Sequence, residues 1–131
     1  MHKQPLSLAK LRQLPKQFSW VDQRLVRERY IDRLSHPACA LYLFLLTVAD
    51  AQGLSYYADA SLCQRLEMST AQLQTARKLL VEHGLVAYQR PLYQVLALEE
   101  PPRAPLAEPI HPQPDAVDIK AVFEQIWEVL S

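Results

Sequence analysis

The sequence predicts a mainly α-helical domain with a small β-hairpin, followed beyond a proline-rich linker by one separate amphipathic helix. Three observations carry this prediction. Residues 38–46 are apolar without a break, and the run resumes after Thr47 with Val48 and Ala49. Two helical patterns separated by Glu67-Met68-Ser69 lead into two short strand-like runs. Six of the ten prolines then crowd into residues 101–114, beyond which apolar residues recur with helical spacing. Proline at that density removes the backbone donors that helix and sheet need, so this stretch is expected to be a semi-rigid spacer. The chain of 131 residues, half of them hydrophobic, suffices for one domain with a packed core plus an appendage. It is read as a basic arm over 1–15, a domain over 16–98, a linker over 99–114 and an amphipathic helix over 115–131.

In the opening stretch Leu6, Leu8, Leu11 and Leu14 alternate with basic residues between Pro5 and Pro15, a pattern that fits both a short helix and a disordered arm. Ser19 then offers an N-cap, and Asp22 an acid in the first turn, for a helix reaching about Arg29. Trp20 is expected to be buried against the domain, because proteins that stack single-stranded bases present several aromatics. Ser35-His36-Pro37 opens the most apolar helix, read over 36–51, with Pro37 tolerated in a first turn that lacks partners for its N–H groups. A helix apolar almost all round must be central.

Gly53 ends that helix, residues 54–57 read as a short strand, and Asp59 is placed to cap the next helix, Asp59–Leu66. In it Leu62, Cys63 and Leu66 face inward while Gln64 and Arg65 face out. Ser69 caps a further helix over 70–83, in which Leu73, Ala76, Leu79 and Leu80 form the inward stripe and Gly84 supplies a left-handed stop. Residues 85–88 and 92–98 read as strands around Gln89-Arg90-Pro91; proline cannot donate to a strand ladder and belongs in the turn. In the last segment Ile119, Val122, Phe123, Ile126, Trp127 and Leu130 fall at i, i+3, i+4, i+7, i+8 and i+11, with Asp115 and Asp118 at the helix start.

The run Ser61-Leu62-Cys63-Gln64-Arg65-Leu66-Glu67-Met68-Ser69, followed by a helix ending His83-Gly84-Leu85-Val86, resembles the winged helix-turn-helix of bacterial transcription regulators and of plasmid and phage replication initiators. The resemblance spans 41–98, under half of the chain. It implies that the second helix lies along a DNA major groove, phosphate contacts placing it and side chains reading base edges. The positions that match the groove-facing surface are Ser69, Thr70, Ala71, Gln74, Thr75 and Lys78, with Arg90 at the wing tip. Gln74 can pair bidentately with adenine, Thr70 and Thr75 can meet a base acceptor or a thymine methyl, and Lys78 can neutralise a phosphate. Three features depart from the family: Glu67 stands where glycine is common, Arg77 where leucine is common, and the wing is short. The same fold also packs subunits together, so a protein-interaction module without DNA binding is the alternative.

The formal net charge is zero, but it is unevenly spread. Residues 1–33 hold eight Lys/Arg against three acids, residues 34–98 four against four, and residues 99–131 two against seven. A basic arm and an acidic tail are the expected consequence. His2, His36, His83 and His111 lack any ligand spacing, and with Cys39 and Cys63 they make no zinc set. Two glycines cannot build a phosphate-cradling loop, so no enzyme activity, cofactor or metal is expected. Asp22, Asp32, Asp50 and Asp59 are read as surface or capping groups, and both cysteines as reduced core residues.

No run approaches the roughly 20 apolar residues that span a bilayer, and no secretory pattern opens the sequence, so a cytoplasmic protein with no membrane partner is expected. The expected partners are double-stranded DNA and, through Ile119, Phe123, Ile126, Trp127 and Leu130, a second copy or another protein. Folding back of that last helix onto its own domain is the competing arrangement.

Overall fold

The apolar stretch at 38–46 forms the axis around which the other elements pack. In a computed structural model that describes residues 2–98, the elements are α1 (Arg24–Arg27), α2 (His36–Val48), β1 (Leu54–Tyr56), α3 (Asp59–Leu66), α4 (Thr70–Glu82), β2 (Val86–Gln89) and β3 (Leu92–Val95). The amphipathic segment at 115–131 and its partner-binding residues lie outside the described residues.

Helix α2 buries Ala38, Leu41, Tyr42 and Leu45, and packs on α3, α4 and β3. Leu62 from α3, Leu73, Ala76 and Leu80 from α4, and Leu85, Val86 and Tyr93 from the sheet side complete the interior. Each fully buried leucine contributes on the order of 1.5–3 kcal/mol over an exposed one, so this cluster carries most of the stability. The helix starts as expected: Ser35 Oγ accepts the Ala38 N–H, and Pro37 sits in the first turn. It ends earlier than expected, at Val48, because Asp50 builds a turn of its own, its Oδ1 accepting the N–H groups of Gln52 and Leu54 at 2.9 Å each. Gly53 completes this turn at φ +85°, and its carbonyl accepts the Val95 N–H at 2.8 Å. A Cβ here would meet the Val95 carbonyl oxygen, so only glycine fits.

The expected hairpin is part of a three-stranded antiparallel sheet in the order β1-β3-β2. Ser55 pairs with Tyr93 on one side and Tyr88 pairs with Tyr93 on the other. The strand at Leu54–Tyr56 therefore forms an edge of this sheet rather than standing alone, and β3 is shorter than expected, ending at Val95. Leu96 and Leu98 continue past the ladder, the Leu96 N–H donating to the Leu85 carbonyl and Leu98 entering the core.

The N-terminal region departs most from expectation. The arm has one 3-10 turn, Leu8–Lys10, and is otherwise irregular, with every residue from 2 to 20 exposed. The helix expected from Ser19 to about Arg29 shrinks to the single turn α1. Its start is set by Asp22, whose carboxylate accepts the Arg24 N–H at 2.9 Å and also the Arg24 side chain, and its continuation is blocked by Arg29 at φ 62°. The Arg24 hydrogen bonds hold the Asp22 carboxyl below its ordinary range. Ser19 instead donates to the Thr47 carbonyl at 3.2 Å, satisfying one of the orphan acceptors at the end of α2. Trp20 is not a buried anchor: it is 74% exposed and lines the rim of a concavity of about 480 Å³ shared with Phe18, Tyr42, Leu46, Val95 and Leu98.

Candidate nucleic-acid interface

The candidate surface is the outward side of α4. Ser69 opens this helix with a reciprocal capping box: its Oγ accepts the Gln72 N–H at 3.1 Å, and the Gln72 side-chain oxygen accepts the Ser69 N–H at 2.9 Å. Two of the orphan donors are thereby satisfied and the first turn is held rigid. Leu73, Ala76 and Leu80 are fully buried, and that fixes which side of the helix faces out. At 100° per residue Thr70, Ala71, Gln74, Thr75 and Lys78 fall on the opposite arc, and all five are exposed, as is Ser69. Gly84 at φ 71° terminates the helix as expected.

Arg90, also exposed, lies apart from these six, in the turn between β2 and β3 beside Pro91. Val81, 44% exposed, sits one turn beyond Lys78 on the same arc as Gln74 and adds an apolar group to that surface. Sequence reasoning passed over it because a valine in an amphipathic helix reads as core; only its phase against Leu73 and Ala76 could have exposed it.

Glu67 and Arg77, two of the three departures from the winged-helix pattern that the sequence resembles, both have a physical account. Glu67 adopts the left-handed conformation, φ 51°, that glycine would take without strain, and its N–H region closes α3 as the chain turns towards Ser69. Arg77 is nearly buried, its side chain 13% exposed. Its Nη1 donates to Asp59 Oδ1 at 2.9 Å and to the Tyr93 hydroxyl at 2.8 Å, its Nη2 to Asp59 Oδ2 at 3.4 Å, and its Cζ stands 4.2 Å from the centre of the Tyr88 ring. Burial works against the guanidinium charge, but the bonds to Asp59 and Tyr93 outweigh it and raise the Arg77 pKa. Burial likewise raises the Tyr93 phenol, with Arg77 opposing the shift.

Asp59 is therefore not the expected side-chain cap of α3; Ala58 occupies the cap position and the Asp59 carboxylate is turned to Arg77. On α3, Arg65 is exposed and stands 5.5 Å from the centre of the Phe44 ring. Asp22, Asp32 and Asp50 accept hydrogen bonds from residues two to four positions away and Asp59 accepts them from Arg77, and among the described residues no three His, Cys, Asp or Glu side chains gather as a metal would require. Cys39 and Cys63 are free thiols, each half-buried. No helix among the described residues is long and apolar enough to cross a membrane.

No protein-family model matches the chain, and neither a curated protein nor a solved structure matches it.

Proposed function

We propose that the chain is a winged helix-turn-helix protein that binds double-stranded DNA, as a transcriptional regulator or as an accessory to replication of a plasmid, phage or other mobile element. The observation that carries this reading is the outward arc of α4: a rigidly capped helix, backed by Leu73, Ala76 and Leu80, that presents Thr70, Gln74, Thr75 and Lys78 together to solvent. A helix followed by a short turn, a second helix and a two-stranded hairpin is the arrangement such a protein uses to seat one helix in the major groove and its wing beside it. Gln74 would read adenine, the threonines a thymine methyl or acceptor, and Lys78, Arg90 and the arm cations Lys3, Lys10, Arg12 and Lys16 the phosphates. The segment at 115–131 would dock on a second copy or another protein, which truncation after Leu98 followed by light scattering would test.

Binding to duplex fragments from the chain's own genomic neighbourhood, followed across salt concentrations, tests the DNA reading. With about four to six phosphates neutralised, log K falls against log salt with a slope of about −3.5 to −5.5. Gln74→Ala is expected to cost about 1–3 kcal/mol on the preferred duplex and little on random sequence, whereas Lys78→Ala weakens both alike. A salt-independent interaction, or equal losses from Gln74→Ala on both duplexes, would count against base reading by this helix.

A further inference from the structure

Arg77 joins three elements through one planar group. Its guanidinium meets Asp59 at the start of α3, the Tyr93 hydroxyl on β3 and the face of Tyr88 on β2. Tyr88 and Tyr93 are directly paired across the hairpin, with ring centres 4.6 Å apart, and the next pair, Gln89 with Leu92, closes on the turn that holds Arg90. The contact thus sits under the tip of the hairpin, one pair back from it. The same residue precedes Lys78 in α4, so the backbone that presents Lys78 to solvent is tied directly to the strands that present Arg90.

A leucine at position 77 would also fill space between α4 and the sheet, but apolar contact is non-directional and would leave the tilt of the hairpin to the packing of Leu85, Val86 and Tyr93 and to the β1 ladder. A guanidinium has a fixed fork of donors, and three hydrogen bonds plus a ring face define its orientation fully.

We infer that Arg77 is a positioning residue: it sets the angle and separation between α4 and the β2–β3 hairpin so that Lys78 and Arg90 engage phosphates of one duplex together. This rests on the DNA-binding reading above. The hairpin is short, and a short wing reaches a phosphate only if its tip is held at the right height relative to the helix in the groove. Arg77 supplies that constraint without touching DNA.

Two measurements on the full chain test the inference separately from the function it serves. Residual dipolar couplings of backbone N–H groups report relative orientation in solution. In the unaltered chain α4 and the hairpin fit one alignment tensor; in Arg77→Met the hairpin is expected to need its own, with a smaller loosening in Tyr93→Phe, which removes one bond and keeps the fold should Arg77→Met fail to hold it. A single tensor in both variants would overturn the inference.

The second measurement is fluorescence anisotropy on a random-sequence duplex of about two helical turns, in a cycle of Arg77→Met, or Tyr93→Phe should Arg77→Met fail to fold, and Arg90→Ala. Arg90→Ala is expected to reduce the magnitude of the salt slope by about 0.9 in the unaltered chain, as for one lost phosphate contact, and by nothing in Arg77→Met. In Tyr93→Phe the reduction is expected to be smaller than in the unaltered chain. An equal reduction in the unaltered chain and in the variant tested would overturn it, because a purely structural Arg77 lowers stability without uncoupling these two residues. Failure of the unaltered chain to bind any duplex would overturn the DNA reading and this role with it, while the couplings would still show whether Arg77 orients the hairpin.

Discussion

Helices α2 and α4 have thirteen residues each, and both begin behind a serine whose hydroxyl accepts a backbone N–H. They differ in what they turn outward. The exposed side of α2 carries Leu43, 62% exposed, and Thr47, whose hydroxyl is spent on the Leu43 carbonyl at 2.8 Å. The exposed side of α4 carries Thr70, Gln74, Thr75 and Lys78, all with hydrogen-bonding groups. One helix is a structural axis whose composition says only that it must be buried, and the other divides its circumference between core and solvent. The comparison teaches that a helix can turn a polar side to solvent when a neighbour takes over the burial, and here α2 takes that part.

The largest expected effects fall on the inward sides, where the two helices behave alike. Leu45→Ala in α2 and Leu80→Ala in α4 each empty a fully buried site and are expected to cost about 2–5 kcal/mol in thermal or denaturant melts. A cost below about 1 kcal/mol for Leu80→Ala alone would break the comparison, since α4 would then rest on its neighbours far more loosely than α2 does.

The sequence carried much of this division because it is local. The Ser69 cap, the Leu73–Ala76–Leu80 stripe and the stop at Gly84 all lie within one helix and follow from its period and its end chemistry. What it did not carry is long-range. Asp59 looks like a cap from its neighbours, and its real partner is Arg77, 18 positions away. Ser19 looks like a cap as well, and its hydroxyl goes to Thr47, 28 positions away. The pairing of β1 with β3 is of the same kind, since a three-residue strand has no pattern that names its neighbour. Trp20 misled for a different reason: a single large apolar residue carries no period, so nothing in the sequence distinguishes core from rim. The candidate DNA-reading residues were legible as an exposed set, because exposure follows from phase; which ligand they serve depends on their chemistry alone.

The caps sharpen the comparison at an intermediate scale. Ser69→Ala removes the hydroxyl half of a reciprocal box, leaving the Ser69 N–H bonded to the Gln72 side chain, and is expected to cost about 1 kcal/mol. Ser35→Ala is expected to cost about 0.5 kcal/mol, because its single bond is long at 3.3 Å and Pro37 already removes one donor from the first turn of α2. Equal losses would mean that the hydroxyl bond at the start of α4 is worth no more than the longer one at the start of α2. Just ahead of it, Glu67→Gly is expected to raise stability by about 0.5–1 kcal/mol, relief of the left-handed strain exceeding the added chain entropy. A loss of stability in that variant would show that the Glu67 side chain makes a contribution its exposed position does not suggest.

The smallest expected effects lie on the outward sides, and they discriminate best between a bare surface and a covered one. Thr75→Ala in α4 removes an exposed β-branched residue in favour of the best helix former, so the melt is expected to shift by less than about 0.5 kcal/mol. Leu43→Gln in α2 exchanges one good helix former for another at an exposed site and is expected to be equally silent. If both hold, the two outward faces are alike in stability in the free chain; on the proposed DNA-binding reading, Thr75→Ala then weakens the preferred duplex at unchanged stability, and Leu43→Gln leaves duplex binding untouched. If instead Leu43→Gln lowers the melting temperature in a manner that depends on protein concentration, the outward face of α2 is an interface between copies. On the proposed reading, the contrast between the helices would then be one of two kinds of partner, protein on α2 and DNA on α4, set by the chemistry of the side chains that line each face.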